Sequence, residues 1–127
     1  MSKRTETYRA VAGLRPYAVW KGVTARVVNG ERMTFAVVDL EPNAAVSEHR
    51  HENEQIGLVL QGSMTFTIGG EKRQIGPGDT YEIPSNTPHD AVAGPEGCTV
   101  VDVFAPVRAD WERLDRPEPF PPQWPPS

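Results

Sequence analysis

Apolar and polar residues alternate along the chain in short runs, each broken by glycine, proline or asparagine. Thr24 to Val28 reads as a strand, Asn29-Gly30 as a hairpin turn, and Arg32 to Leu40, rich in Thr, Phe and Val, as the returning strand. Pro42-Asn43 ends it. Gln55 to Gln61 is the next strand. Gly62-Ser63 predicts a turn, Met64 to Ile68 runs back, and Gly69-Gly70 turns again into Glu71 to Ile75. Pro77-Gly78-Asp79 leads into Thr80 to Ile83, and Pro84 to Pro88 is a loop. His89 opens a strand to about Ala93, and Gly94-Pro95-Glu96-Gly97 predicts a turn into the β-branched strand Cys98 to Ala105. Many short strands with closely spaced turns predict an all-β sandwich or barrel. Asp110 to Leu114 predicts one short helix with Asp110 as its N-cap.

The pattern within one strand says more. Ile56, Leu58 and Leu60 share a face, and Gly57 and Val59 share the other with Gln55. A strand with apolar residues on both faces predicts that its outer face is covered, by a second sheet or by another subunit. A homodimer is the expectation. Residues 1–13 read as a polar N-terminal segment, 14–116 as the barrel, and 117–127 as a proline-rich tail. Proline this dense favours extended, unpaired chain, and the tail is expected to lay Phe120 and Trp124 on the barrel or a neighbouring subunit rather than to serve as a docking ligand.

Composition narrows the class without changing the fold. The chain has 127 residues, 38% hydrophobic and 24% charged, as one soluble domain would. Its formal net charge of −4 argues against a nucleic-acid partner. The single cysteine, Cys98, sits in an apolar run and reads as a buried, inert thiol. No apolar run is long enough to cross a bilayer, and the first residues lack the apolar core of a signal peptide. No membrane partner and a cytoplasmic location are therefore expected.

The candidate chemistry lies between the strands. His49 and His51 are one residue apart, so on extended chain they aim at one point, as two ligands of one metal must. Gln55 shares their parity and Glu54 does not, although loop geometry near residues 52 to 54 can break that argument. The only other histidine is His89. All three with Gln55 are read as holding one divalent ion. A second group is Asp102, Phe104 and Arg108. Asp102 and Phe104 share parity on one strand, and Arg108 lies just past its end. A carboxylate facing a barrel interior beside a guanidinium at its mouth suits proton transfer and bidentate capture of a substrate carboxylate. A salt bridge between Asp102 and Arg108, or a place at the rim, is the alternative.

The order of these residues resembles the cupin family. The first cupin motif is a glycine, two histidines one apart, a glutamate and a closing glycine; here it reads Asn43, His49, His51, Gln55 and Gly62. The second reads Gly78, Pro84, Asn86, His89 and Ala93. Asn43 and Asn86 stand where the family has glycine, Ala93 where it has asparagine, and Gln55 where it has a ligand glutamate. The resemblance spans roughly residues 33 to 106. It implies a single-domain cupin β-barrel, also called a double-stranded β-helix or jelly roll, followed by the proline-rich tail.

The segments His49-Arg50-His51, Glu54-Gln55-Ile56-Gly57 and Asp102 to Arg108 look like the KdgF-type cupins, which linearise 4,5-unsaturated monouronates from pectin or alginate. That resemblance implies His49, His51, Gln55 and His89 as metal ligands, and Asp102, Phe104 and Arg108 as pocket residues. Three imidazoles and an amide leave the ion's double positive charge unneutralised, which favours Lewis-acid over oxygenase chemistry. Zinc, nickel, manganese and iron all suit the donors. The expected activity is metal-dependent, non-redox ring opening and keto–enol conversion of a small anionic sugar acid. Asp102 would move the proton, Arg108 hold the carboxylate and Phe104 wall the ring. A metal-dependent cyclase or lyase of secondary metabolism and a non-catalytic small-molecule-binding cupin are the alternatives.

Overall fold

The computed structural model describes residues 6–126. The expectation for residues 1–13 falls outside that range for residues 1–5; within it, residues 6–10 are exposed. The described residues form eight antiparallel strands: β1 (Tyr17–Trp20), β2 (Val23–Asn29), β3 (Thr34–Leu40), β4 (Ala45–His49), β5 (Glu54–Ile68), β6 (Glu71–Ile75), β7 (Thr80–Ile83) and β8 (His89–Ala105). They run in the order β1-β2-β3-β8-β5-β6, with β4 added on β8 and β7 on β5. Among the described residues no helix is long and apolar enough to cross a membrane.

The architecture depends on β5 and β8, of 15 and 17 residues. The sequence predicts a turn inside each of them, and neither turns. Instead they stay paired from Glu54↔Ala105 to Ile68↔His89, with register shifts at Val59/Gln61 and Gly62/Met64. Gly62 (φ 78°) and Gly97 (φ 80°) are both left-handed and face each other at the bend. A Cβ on Gly62 would lie 2.1 Å from the Gly97 carbonyl oxygen, so only glycine permits this approach. The glycines therefore bend two long strands rather than reverse the chain. One half of β8 then pairs with β3 and the other with β4, so the two strands bridge both walls of the β-barrel.

Alternation puts Gln55, Gly57 and Val59 of β5 inside and Ile56 and Leu58 outside. Ile83 and Phe104 flank Gln55 in one inward row, and Tyr81 and Asp102 flank Gly57 in the next. Ile83, Val59, Val100 and Phe104 are almost fully buried. Each such side chain stabilises the barrel by about 1.5–3 kcal/mol relative to exposure. Among the described residues no second sheet covers the outer face, contrary to one expectation: Ile56 is 52% and Leu58 37% exposed.

The tail from residue 117 crosses another part of the outer surface. Arg15 donates to the Arg116 and Pro117 carbonyls at 2.8 and 3.1 Å. The Phe120 ring lies 5.0 Å from the Arg26 guanidinium, and the Gln123 backbone N–H donates to Asp39 Oδ2 at 2.9 Å. Trp124 is half-buried. Ala109–Arg113 forms a 3₁₀ turn whose N-cap is Arg108, not Asp110, with no side-chain capping bond. The Asp110 carboxylate is instead taken by the Arg108 guanidinium.

Candidate metal centre and active site

The three histidines arrive from different parts of the chain. His49 ends β4, His51 lies in the short loop before β5, and His89 begins β8, paired with His49. Same-face alternation does not carry across this segment. β4 has a register shift between Val46 and His49, and His51 is off the strand. Each ring is set by a local bond instead. Nδ1 of His49 donates to the Ser47 carbonyl at 2.8 Å, that of His51 to the Asn53 carbonyl at 2.9 Å, and that of His89 to the Thr87 carbonyl at 2.8 Å. A carbonyl only accepts, so Nδ1 carries the proton and Nε2 keeps its lone pair.

The rings converge. Their centroids lie 4.3 Å (His49–His89), 4.9 Å (His51–His89) and 5.7 Å (His49–His51) apart, and one nitrogen of each falls within 4.8 Å of the others. Burial pushes His89 down to about 4 and lowers His51, whose ring Arg108 also disfavours charging. Neutral imidazole is the form that binds a metal.

Gln55 is buried and lines the same cavity, whereas Glu54 is exposed. Its amide lies beside both the Asp102 carboxylate, whose charged form it favours, and the His51 ring. A carboxylate accepts, so the amide nitrogen faces Asp102 and the oxygen is left for the histidine side. Meanwhile Nε2 of His51 is buried with no hydrogen-bond partner. A buried lone pair beside an amide oxygen is costly unless a cation sits between them. The donor set thus fits a divalent ion held by imidazole nitrogen and amide oxygen.

Asp102 and Arg108 border the same cavity of about 330 Å³. They do not form a salt bridge with each other. Asp102 Oδ1 accepts from the Tyr81 hydroxyl at 2.5 Å. Burial pushes the Asp102 carboxyl up to about 6, and burial next to that carboxylate raises Tyr81 well above its usual value. Arg108 gives Nε and Nη2 to the two Asp110 oxygens at 3.0 Å each. Its guanidinium lies 4.8 Å from the Phe104 ring and 4.5 Å from the Trp111 ring. Phe104 is buried, its ring centroid 5.8 Å from that of His51.

Every site residue expected from sequence therefore borders one cavity, but sequence reasoning missed several of their neighbours. Tyr81 was signalled by Gly57, because a glycine inside a strand marks a close approach. Asp110 was read as a helix cap. Asn53, whose Nδ2 donates to the Pro106 and Val107 carbonyls, ties the His51 loop to the Arg108 segment and had no signal. Trp20, its ring centroid 5.3 Å from His49, and Trp111 line the mouth. Asn43 and Asn86 adopt φ of 63° and 60°, which explains how asparagine stands in for glycine there.

A family model described as "Cupin domain" matches residues 36–104. The pectin degradation protein KdgF of Dickeya dadantii is 32% identical over 92 residues, covering 71% of this chain and 84% of that protein. The solved structure of KdgF from Halomonas sp. superposes with a TM-score of 0.76 at 30% identity, covering 84% of this chain and 98% of that one. The dimethylsulfoniopropionate lyase DddW of Ruegeria pomeroyi is 34% identical over 73 residues, and the match spans 58% of this chain and 48% of the lyase.

Proposed function

The chain belongs to the cupin family, and on that premise we propose that it is a metal-dependent enzyme that opens the ring of a small unsaturated uronate and completes its enol-to-keto conversion. One observation carries the reading. The converging lone pairs of His49, His51 and His89 lie in the same cavity as a buried carboxyl whose ordinary range has been pushed up to about 6. Similarity to one protein named for pectin degradation and to a solved KdgF supports the substrate class.

The conversion is an isomerisation. The bond between the hemiacetal carbon and the ring oxygen breaks, the hemiacetal hydroxyl loses its proton and becomes an aldehyde, the ring oxygen keeps the bond pair and becomes the keto oxygen at C5, and the proton ends on C4 of the former double bond. No electrons or atoms enter or leave, so the protein must supply a proton carrier and charge stabilisation. His49, His51, His89 and Gln55 would hold the ion, which when bound supplies Lewis acidity toward substrate oxygen. Asp102, poised near neutrality, takes and returns the proton. Arg108 is clamped by Asp110 on one edge, and its remaining donors bind the substrate carboxylate. Phe104 and Trp111 flank that guanidinium and exclude water from it.

The test is turnover of a 4,5-unsaturated galacturonate by zinc- or nickel-reconstituted protein, followed by loss of the ultraviolet absorbance of the enol acid. Asp102→Ala is expected to lose on the order of 10²–10⁴-fold in kcat. Arg108→Ala is expected to raise KM by about tenfold or more, as the loss of a charged hydrogen bond does. Unchanged turnover in both variants overturns the mechanism. A metal-dependent lyase is the second reading, favoured by the similarity to the dimethylsulfoniopropionate lyase. Release of dimethyl sulfide from dimethylsulfoniopropionate, with no uronate turnover, selects it.

A further inference from the structure

Gly57 lies between two partners, with Tyr81 of β7 opposite it on one side and Asp102 of β8 on the other. It has no side chain to separate them, and the Tyr81 ring fills the place of one. A Cβ on Gly57 would lie 2.0 Å from Tyr81 Cζ and 2.4 Å from its hydroxyl oxygen. Across that gap the hydroxyl reaches Asp102 Oδ1 at 2.5 Å. The Phe66 ring, its centroid 4.7 Å from that of Tyr81, backs it from the core.

Packing alone does not call for this hydroxyl. A phenylalanine would fill the same space beside Phe66, and a buried hydroxyl is costly unless it is bonded. Here its bond goes to the Asp102 carboxylate, which shares the cavity with the Gln55 amide. The hydroxyl holds one oxygen of that carboxylate and so sets which way the other faces. An amide nitrogen drawn toward that second oxygen leaves the amide oxygen for the histidine cluster.

We propose that Tyr81 is a positioning residue, admitted by Gly57, that orients the Asp102 carboxylate and through it turns the Gln55 amide oxygen toward the metal centre. The catalytic part of this proposal rests on the uronate reading above; the positioning part does not. Tyr81→Phe in the zinc-reconstituted protein is expected to lower kcat by about 10–100-fold, the usual cost of losing a partner behind a metal ligand, with KM within about twofold. In an Asp102→Asn background the same change is expected to cost nothing more, because its effect runs through that carboxylate. Gly57→Ala, which keeps the hydroxyl but displaces it together with its ring from Asp102, is expected to reproduce the kcat loss.

A readout independent of turnover is the carboxyl ¹³C resonance of Asp102 in the zinc-loaded protein, which should move on Tyr81→Phe. An unmoved resonance overturns the proposal, as does an unchanged kcat in Tyr81→Phe or an equal further loss on top of Asp102→Asn. If wild-type protein does not turn over the uronate, the functional reading falls, and the resonance alone decides the role of Tyr81.

Discussion

On the outer face of β3 and β8, Asp39 accepts from Arg26 at 3.2 Å, from Thr99 at 2.9 Å and from the Gln123 backbone at 2.9 Å, and the tail closes over the group. On the inner face, half-buried His49 and His51 with buried His89, Gln55 and Asp102 form a second polar cluster, and the buried Nε2 of His51 has no partner among the described residues. The outer cluster also has one unbonded atom, Arg26 Nε, but it belongs to a guanidinium already bonded to Asp39 and Phe120. The outer group is a neutralised ion pair completed by the chain itself. The inner group is a set of imidazole, amide and carboxyl acceptors converging on one cavity. Burial alone does not mark a functional site; what marks one is burial combined with bonding capacity left over.

Two substitutions sharpen that contrast. Asp39→Ala strands the buried Arg26 charge and is expected to cost about 3–5 kcal/mol in stability, read as a lower denaturation midpoint. Metal content and kcat per folded molecule should be unchanged. His51→Ala is expected to do the reverse. It removes an unsatisfied buried acceptor, so the metal-free protein should lose no more than about 1 kcal/mol, while bound metal is lost. Equal destabilisation by both variants would erase the distinction between the clusters.

A smaller effect comes from pH. His89 is held down to about 4 and His51 is also lowered, in each case first by burial, whereas free histidine titrates near 6.5. Between those values the unfolded chain binds more protons than the folded one. Stability of the metal-free protein therefore falls as pH drops through that window and levels off below it. The expected result is a Tm that declines by several degrees, with a slope that flattens in His89→Ala and is retained in Asp39→Ala. A slope unaltered by His89→Ala contradicts this assignment.

The sequence revealed the ends of the argument better than its middle. The strand class was readable because turn residues and β-branched runs are local signals. The histidines were identifiable because the chain has so few and they fall in a recognisable order. The continuity of β5 and β8 was not readable. Gly62 and Gly97 look like turn residues in isolation, and only their close approach across the ladder makes them bends. Strand alternation predicts that His49 and His51 meet, but the rings are set by carbonyl bonds around a bulge and a loop. Gly57 was visible on the inner face, yet the ring that occupies its space comes from a strand whose register only the fold supplies. Asp110 reads as a helix cap in sequence because its nearest neighbours favour one; the partner that claims it, Arg108, is bent back by the 3₁₀ turn.

The most direct test is diffraction from crystals soaked in a zinc salt, recorded at the zinc absorption edge. The account predicts one anomalous peak per chain, about 2.0–2.1 Å from Nε2 of His49, His51 and His89 and facing the Gln55 amide oxygen. Zinc bound elsewhere, or no density between three rings that remain as placed here, would contradict it.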